Sequence, residues 1–215
     1  MNAFATLVQR DLARGLAQGG FALPLIFYLL VATLFPFAIG PDAALLGKVG
    51  GGALWTAALL AALLPVERLI LPDRAAGVLD QLAVRGVSEE EVALAKIVAH
   101  WLGFGPPLML ATLPAAALLG LDTAALLRLE AGLAIGTPGL AALSLATAAL
   151  TAGLRGAGAL AGLVMLPLAV PLLIFGAGAL GPQGVGAFKL LAAASLLLLA
   201  GAPFVAGAAL RAARE

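Results

Sequence analysis

A chain of 215 residues with 63% hydrophobic and only 11% charged side chains cannot cover itself with the polar surface of a soluble domain, which carries roughly 25% charged residues. Twelve Lys and Arg against eleven Asp and Glu leave a net charge of +1, so no basic face speaks for nucleic acid, and the absence of cysteine removes disulfides and thiolate metal sites. The bilayer is the solvent that fits, and neither a soluble domain nor an enzyme is expected.

The N-terminal segment places Phe4, Val8, Leu12 and Leu16 at four-residue intervals, with Gln9, Arg10, Arg14 and Gln18 mostly elsewhere around the helix. That pattern predicts an interfacial helix over 1–20, lying along the membrane. The apolar run that follows is too long for the h-region of a cleavable signal peptide and lacks a convincing cleavage site, so it is read as a retained span. A spanning helix needs roughly 20 apolar residues, because each rises about 1.5 Å through a core about 30 Å thick. Six stretches qualify: Phe21 to Ile39, Val49 to Val66, Ile97 to Leu121, Ala131 to Leu154, Ala157 to Leu180 and Leu190 to Leu210. A single all-α membrane domain over 1–215 is expected, since lipid cannot satisfy open backbone groups and no alternating barrel strands occur.

Orientation follows from the basic residues that flank the spans. One set of connecting segments holds Arg10, Arg14, Arg68, Arg74, Arg85, Lys96, Arg155, Arg211 and Arg214, the other only Lys48, Arg128 and Lys189. This imbalance puts both termini in the cytoplasm. The long polar segment 67–96, which carries Glu67, Asp73, Asp80, Glu89, Glu90 and Glu91, is then cytoplasmic as well. Within it, Gly77 precedes Val78, Leu79, Asp80, Gln81 and Leu82, an amphipathic piece too short to be stable alone and in need of a partner surface. Ser88, three residues before Glu91, is a capping-box arrangement that starts the helix leading into the third span.

The spans hold almost no ionisable groups; Glu67, Lys96, His100 and Glu130 are placed at or near helix ends, and the interiors offer Thr, Ser and aromatic side chains. No GxxxxGK[ST] loop is present either, because Gly47 and Lys48 are followed by Val49. Energy must come from outside the chain, and ATP can act only through a partner. Prolines 36, 106, 107, 114, 138, 167 and 171 are candidate kinks, and the pairs Gly132 with Gly136 and Gly158 with Gly162 permit close helix approach, which ordinary packing explains. His100 is the only histidine, followed by Trp101. The pair is a candidate contact for haem or for a partner; no metal site is expected, and Met109 and Met165 are read as packing residues.

The segments LFPFAIGP (Leu34 to Pro41), ALLPVERL (Ala62 to Leu69), GVLDQL (Gly77 to Leu82), AKIVAHW (Ala95 to Trp101), GTPGL (Gly136 to Leu140) and LPLAVPLLIF (Leu166 to Phe175) run in order over nearly the whole chain. Together they resemble CcmB, the haem exporter B family. That resemblance implies an ABC-2-like permease subunit of an inner-membrane complex for c-type cytochrome maturation. Its implied partners are the ATPase CcmA, the membrane proteins CcmC and CcmD, the haem chaperone CcmE, membrane lipid and a second copy of itself. Haem is implied as cargo rather than as a resident cofactor, and Glu67 with Gly77 to Leu82 as the region that docks on the ATPase. The short loop Gly181 to Phe188 departs from any plan with a large periplasmic surface. Two other readings fit the same features: an ABC-2 export permease for another substrate, and a non-transporting membrane scaffold.

Overall fold

The computed structural model describes residues 3–40, 42–181 and 184–212. Arg214, Pro41 and two residues of the loop Gly181 to Phe188 lie outside the described residues. Among the described residues the chain forms nine helices: α1 (Ala3–Ala17), α2 (Ala22–Ile39), α3 (Ala43–Leu63), α4 (Val66–Ala75), α5 (Val78–Val84), α6 (Glu89–Leu118), α7 (Thr123–Thr151), α8 (Ala157–Gly178) and α9 (Gly184–Ala212). Six of these, α3 counted together with α4, are long and apolar enough to cross a membrane, as the six apolar runs predict.

Several helices start earlier than the spans predicted inside them. Side-chain caps fix these starts. Asp42 accepts from the amides of Ala44 and Leu45 at 3.0 Å, and Asp122 accepts from Ala125 at 2.7 Å. Ser88 accepts from Glu91 at 3.2 Å, the serine half of the predicted capping box. Lys48, Arg128 and Lys189 therefore lie in the opening turns of α3, α7 and α9, at one end of the bundle. At the other end, Arg211 of α9 bonds Glu90 of α6 at 2.6 Å and Asp11 of α1 bonds Lys96 of α6 at 2.9 Å, which places α1 and the end of α9 on the same face. That face, which also carries α4 and α5, is called the basal face below.

Helix α7 is the axis of the bundle, with α3, α6, α8 and α9 packed around it. Small residues make this possible. A Cβ at Gly139 would come within 2.7 Å of Ser195 Oγ, so α9 approaches the α7 backbone directly. The fully buried Trp55 of α3 lies against Gly132 and Gly136 of α7 and Gly176 of α8. The spacing of Gly132 and Gly136 thus seats a ring inside one chain, whereas Gly158 and Gly162 form no comparable seam: Gly158 meets Glu67 and Gly162 has nothing within 4 Å. Leucines such as Leu163, Leu196 and Leu197 point outward from α8 and α9, as a lipid-facing surface requires. Only Leu64 and Pro65 separate α3 from α4. Proline has no N–H to continue the ladder, and Leu64 closes α3 with a tighter bond to Ala61 at 3.3 Å.

Candidate functional site

The chemistry-bearing residues collect on the basal face around α4. Its one buried acid, Asp73, is 1% exposed and receives three cations. Arg10 Nη2 donates to Oδ2 at 2.6 Å, Arg14 Nη1 donates to Oδ1 at 2.5 Å, and Lys96 Nζ donates to Oδ2. Lys96 also donates to Asp11 Oδ2 at 2.9 Å, and Arg10 Nε donates to Asp11 Oδ1 at 2.8 Å. Three helices, α1, α4 and α6, are thereby tied through two carboxylates. Burial alone would lower the Arg10 pKa, but the adjacent carboxylates of Asp11 and Asp73 outweigh it and hold the guanidinium above its ordinary value.

This arrangement adds to the expected picture of an interfacial N-terminal helix. Arg10 and Arg14, away from the apolar stripe of α1, reach across to the buried carboxylate on α4. Leu7 is the buried apolar residue of α1, while Leu16 is 72% exposed. The helix packs on α6 rather than resting on lipid alone. Lys96 is likewise about two turns inside α6 and buried, not at its end. Glu130 also lies about two turns into α7, with Oε1 buried and without a hydrogen bond.

The predicted coupling residues separate into two groups. The segment 67–96 is not an open loop: it folds as α4, α5 and the first turns of α6. Gly77, at φ +67°, supplies the left-handed turn between α4 and α5 that a residue with a Cβ would adopt only under strain. Leu79 is buried and Leu82 and Val78 are half-buried, so the expectation that these three are left bare for a partner does not hold; Leu79 and Leu82 pack into the chain's own core. The outward side of α5 consists of Asp80, Gln81 and Val84, the last 89% exposed. Glu67 is exposed and lies over the first turn of α8, where a Cβ at Gly158 would come within 2.7 Å of its Cγ. A helix N-terminus favours an anion there. Arg74 reaches the turn between α7 and α8, its Nη1 3.1 Å from where a Cβ of Gly153 would be. Short as it is, α4 therefore touches α1, α6, α8 and the α7–α8 turn through Glu67, Asp73 and Arg74.

His100 and Trp101 point different ways. Trp101 Nε1 donates to Thr137 Oγ1 at 3.1 Å, which ties it to α7. His100 is 3% exposed, stacks on Phe104 with ring centroids 5.8 Å apart, and leaves both ring nitrogens without a hydrogen bond. It lines a cavity of about 80 Å³ between α1, the start of α4 and α6, together with Asp11, Arg14, Gln18, Arg68 and Lys96. Sequence reasoning missed Asp73, Asp11 and this cavity. No group of histidine and carboxylate side chains able to hold a metal ion is found among the described residues.

A family profile described as CcmB protein matches residues 2–213. Heme exporter protein B of Bradyrhizobium diazoefficiens is 42% identical over 218 residues, which cover 98% of each chain. The proteins of the same name from Paracoccus denitrificans and Haemophilus influenzae are 45% and 41% identical; the first match covers 91% of this chain and 92% of its relative, the second 97% of each.

Proposed function

The chain belongs to the CcmB family, and from that premise we propose that it is the permease subunit of an ABC-type haem exporter in c-type cytochrome biogenesis. The observation that carries the reading is the match over 2–213 to a family whose relatives are named heme exporter protein B. In this reading the ATPase CcmA hydrolyses ATP, and CcmC, CcmD and the chaperone CcmE complete the pathway, with haem exported or the loaded chaperone released. Six apolar helices without a phosphate-cradling loop support a division of labour between this chain and an ATPase. A second copy of the chain completes the permease.

The basal face is the cytoplasmic side of the inner membrane in this proposal, supported by Arg10, Arg14, Arg68, Arg74, Arg85, Lys96, Arg155 and Arg211 on its segments. A reporter fused after Glu215 is therefore expected to read as cytoplasmic and one inserted at 181–186 as periplasmic. The reverse pair of signals would overturn the orientation.

The ATPase docks on α5 through Asp80, Gln81 and Val84, the outward side of a short helix that the chain presents beyond the apolar spans. Gly77 sets the angle at which α5 is presented, Val78, Leu79 and Leu82 anchor α5 to its own chain, and Glu67 passes motion from α4 to α8. Val84→Asp is expected to lower co-purification of the ATPase about tenfold, a loss on the order of 1.4 kcal/mol, and to impair cytochrome c maturation in cells. Leu79→Ser is expected to act through the melting temperature instead. Normal ATPase retention and normal cytochromes in the Val84 variant would remove α5 from the docking surface.

A further inference from the structure

We propose that the cavity between α1, α4 and α6 holds the phosphate of an anionic phospholipid from the leaflet in which α1 lies, and that the apolar groove beside it takes an acyl chain. The inference does not depend on haem export or on the ATPase; it rests on the cavity's charge, its size and its one unsatisfied buried side chain.

Charge comes first. The cavity is lined by three cations, Arg14, Arg68 and Lys96, against one acid, Asp11. Adding Arg10 and Asp73, which stand behind the wall, leaves the same surplus of positive charge. Arg68 is exposed and forms no salt bridge among the described residues. A guanidinium so placed matches a phosphate by paired N–H donors. At the floor, His100 is buried with neither nitrogen hydrogen-bonded. A buried imidazole in that state leaves its N–H without an acceptor, and a phosphate oxygen would accept from it.

Size and surroundings select the ligand. A volume of about 80 Å³ admits a few water-sized groups, enough for a headgroup phosphate and too little for a porphyrin ring. Phe21 and Gly15 line this cavity and also the neighbouring groove of about 350 Å³, which is walled by Leu12, Leu25, Leu102 and Pro107. A polar chamber opening beside an apolar groove at the depth of an interfacial helix has the form of an anionic amphiphile with a small head.

The test uses the full chain, purified in detergent and reconstituted into nanodiscs of phosphatidylcholine with or without phosphatidylglycerol, with native mass spectrometry reading the retained lipid. One phosphatidylglycerol should survive purification in preference to phosphatidylcholine. Arg68→Gln, an exposed substitution that leaves the fold alone, should reduce its retention about tenfold. His100→Leu should do the same, and His100→Gln, which restores a donor, should recover part of it. Equal retention of phosphatidylcholine, or retention unchanged in Arg68→Gln, overturns the proposal. So does inorganic phosphate alone raising the melting temperature as much as the lipid does, because the site would then take free phosphate. A haem absorption shift seen with the native chain and lost in His100→Leu would assign the cavity to haem and overturn it as well.

Discussion

Replacing Asp73 by asparagine is expected to destabilise the chain by about 3–5 kcal/mol, the usual cost of removing one member of a buried ion pair. The effect is large because Asp73 is 1% exposed and pairs with Arg10, Arg14 and Lys96 together. Without it, Lys96 stays 5% exposed and shares Asp11 with Arg10, while Arg14 loses its carboxylate. The basal end of α1 should then lift from α6, so that protease cuts at Arg10 and Arg14 in membranes where the native chain resists. Lys96→Met in the Asp73→Asn background removes the stranded ammonium and should return part of the lost stability. Thermal unfolding in detergent checks both steps. If Asp73→Asn leaves the melting temperature unchanged, the carboxylate does not hold these helices together.

The second large effect is expected at Trp55. Truncation to alanine empties a fully buried indole site and should cost about 3–5 kcal/mol, since the surrounding backbone at Gly132, Gly136 and Gly176 has no side chains with which to refill it. The reciprocal change is equally informative. Gly176→Ala places a methyl group on the indole ring and should cost about 1–3 kcal/mol by overpacking. In the Trp55→Ala background the same Gly176→Ala change should be near neutral or favourable, because the new methyl group enters the space the ring vacated. Melting temperatures of the two single variants and the double variant form the cycle. Additive losses would show that Gly176 is not required by the indole.

The spans were legible because a bilayer demands about 20 apolar residues in a row, a signal that no tertiary context can hide. Their ends were less legible. Glu89 to Glu91 are helical although charged, since a serine cap and backbone ladder carry the helix beyond the apolar run. The basal cluster was scarcely legible. Asp73 lies 63 residues from Arg10 in sequence and Lys96 lies 85 from Asp11, and no periodicity reports a meeting at that separation. A faint signal did exist: Arg10 and Arg14, one turn apart on a helix that sits against a membrane, need anions that the spans do not provide. The sided pattern of α5 was read correctly as amphipathic, but a pattern names only the apolar face. It cannot say whether that face meets another protein or, as with Leu79, the chain's own core. His100 was visible as a lone histidine; that it lines a cavity depends on how α1 folds back.

Leu64 and Pro65 join α3 and α4 into a long arm and a short arm of one element. Each arm is stiff along its axis, while the joint between them lacks a ladder bond at proline. Trp55 lies ten residues above Pro65, about 15 Å along the long arm. Glu67, Asp73 and Arg74 grip the short arm from three directions. Under the coupling proposed above, a load on the short arm would pass along α3 to the indole seated between α7 and α8. Such a route would carry mechanical work into the apolar helices through packing alone, with no charge having to travel there.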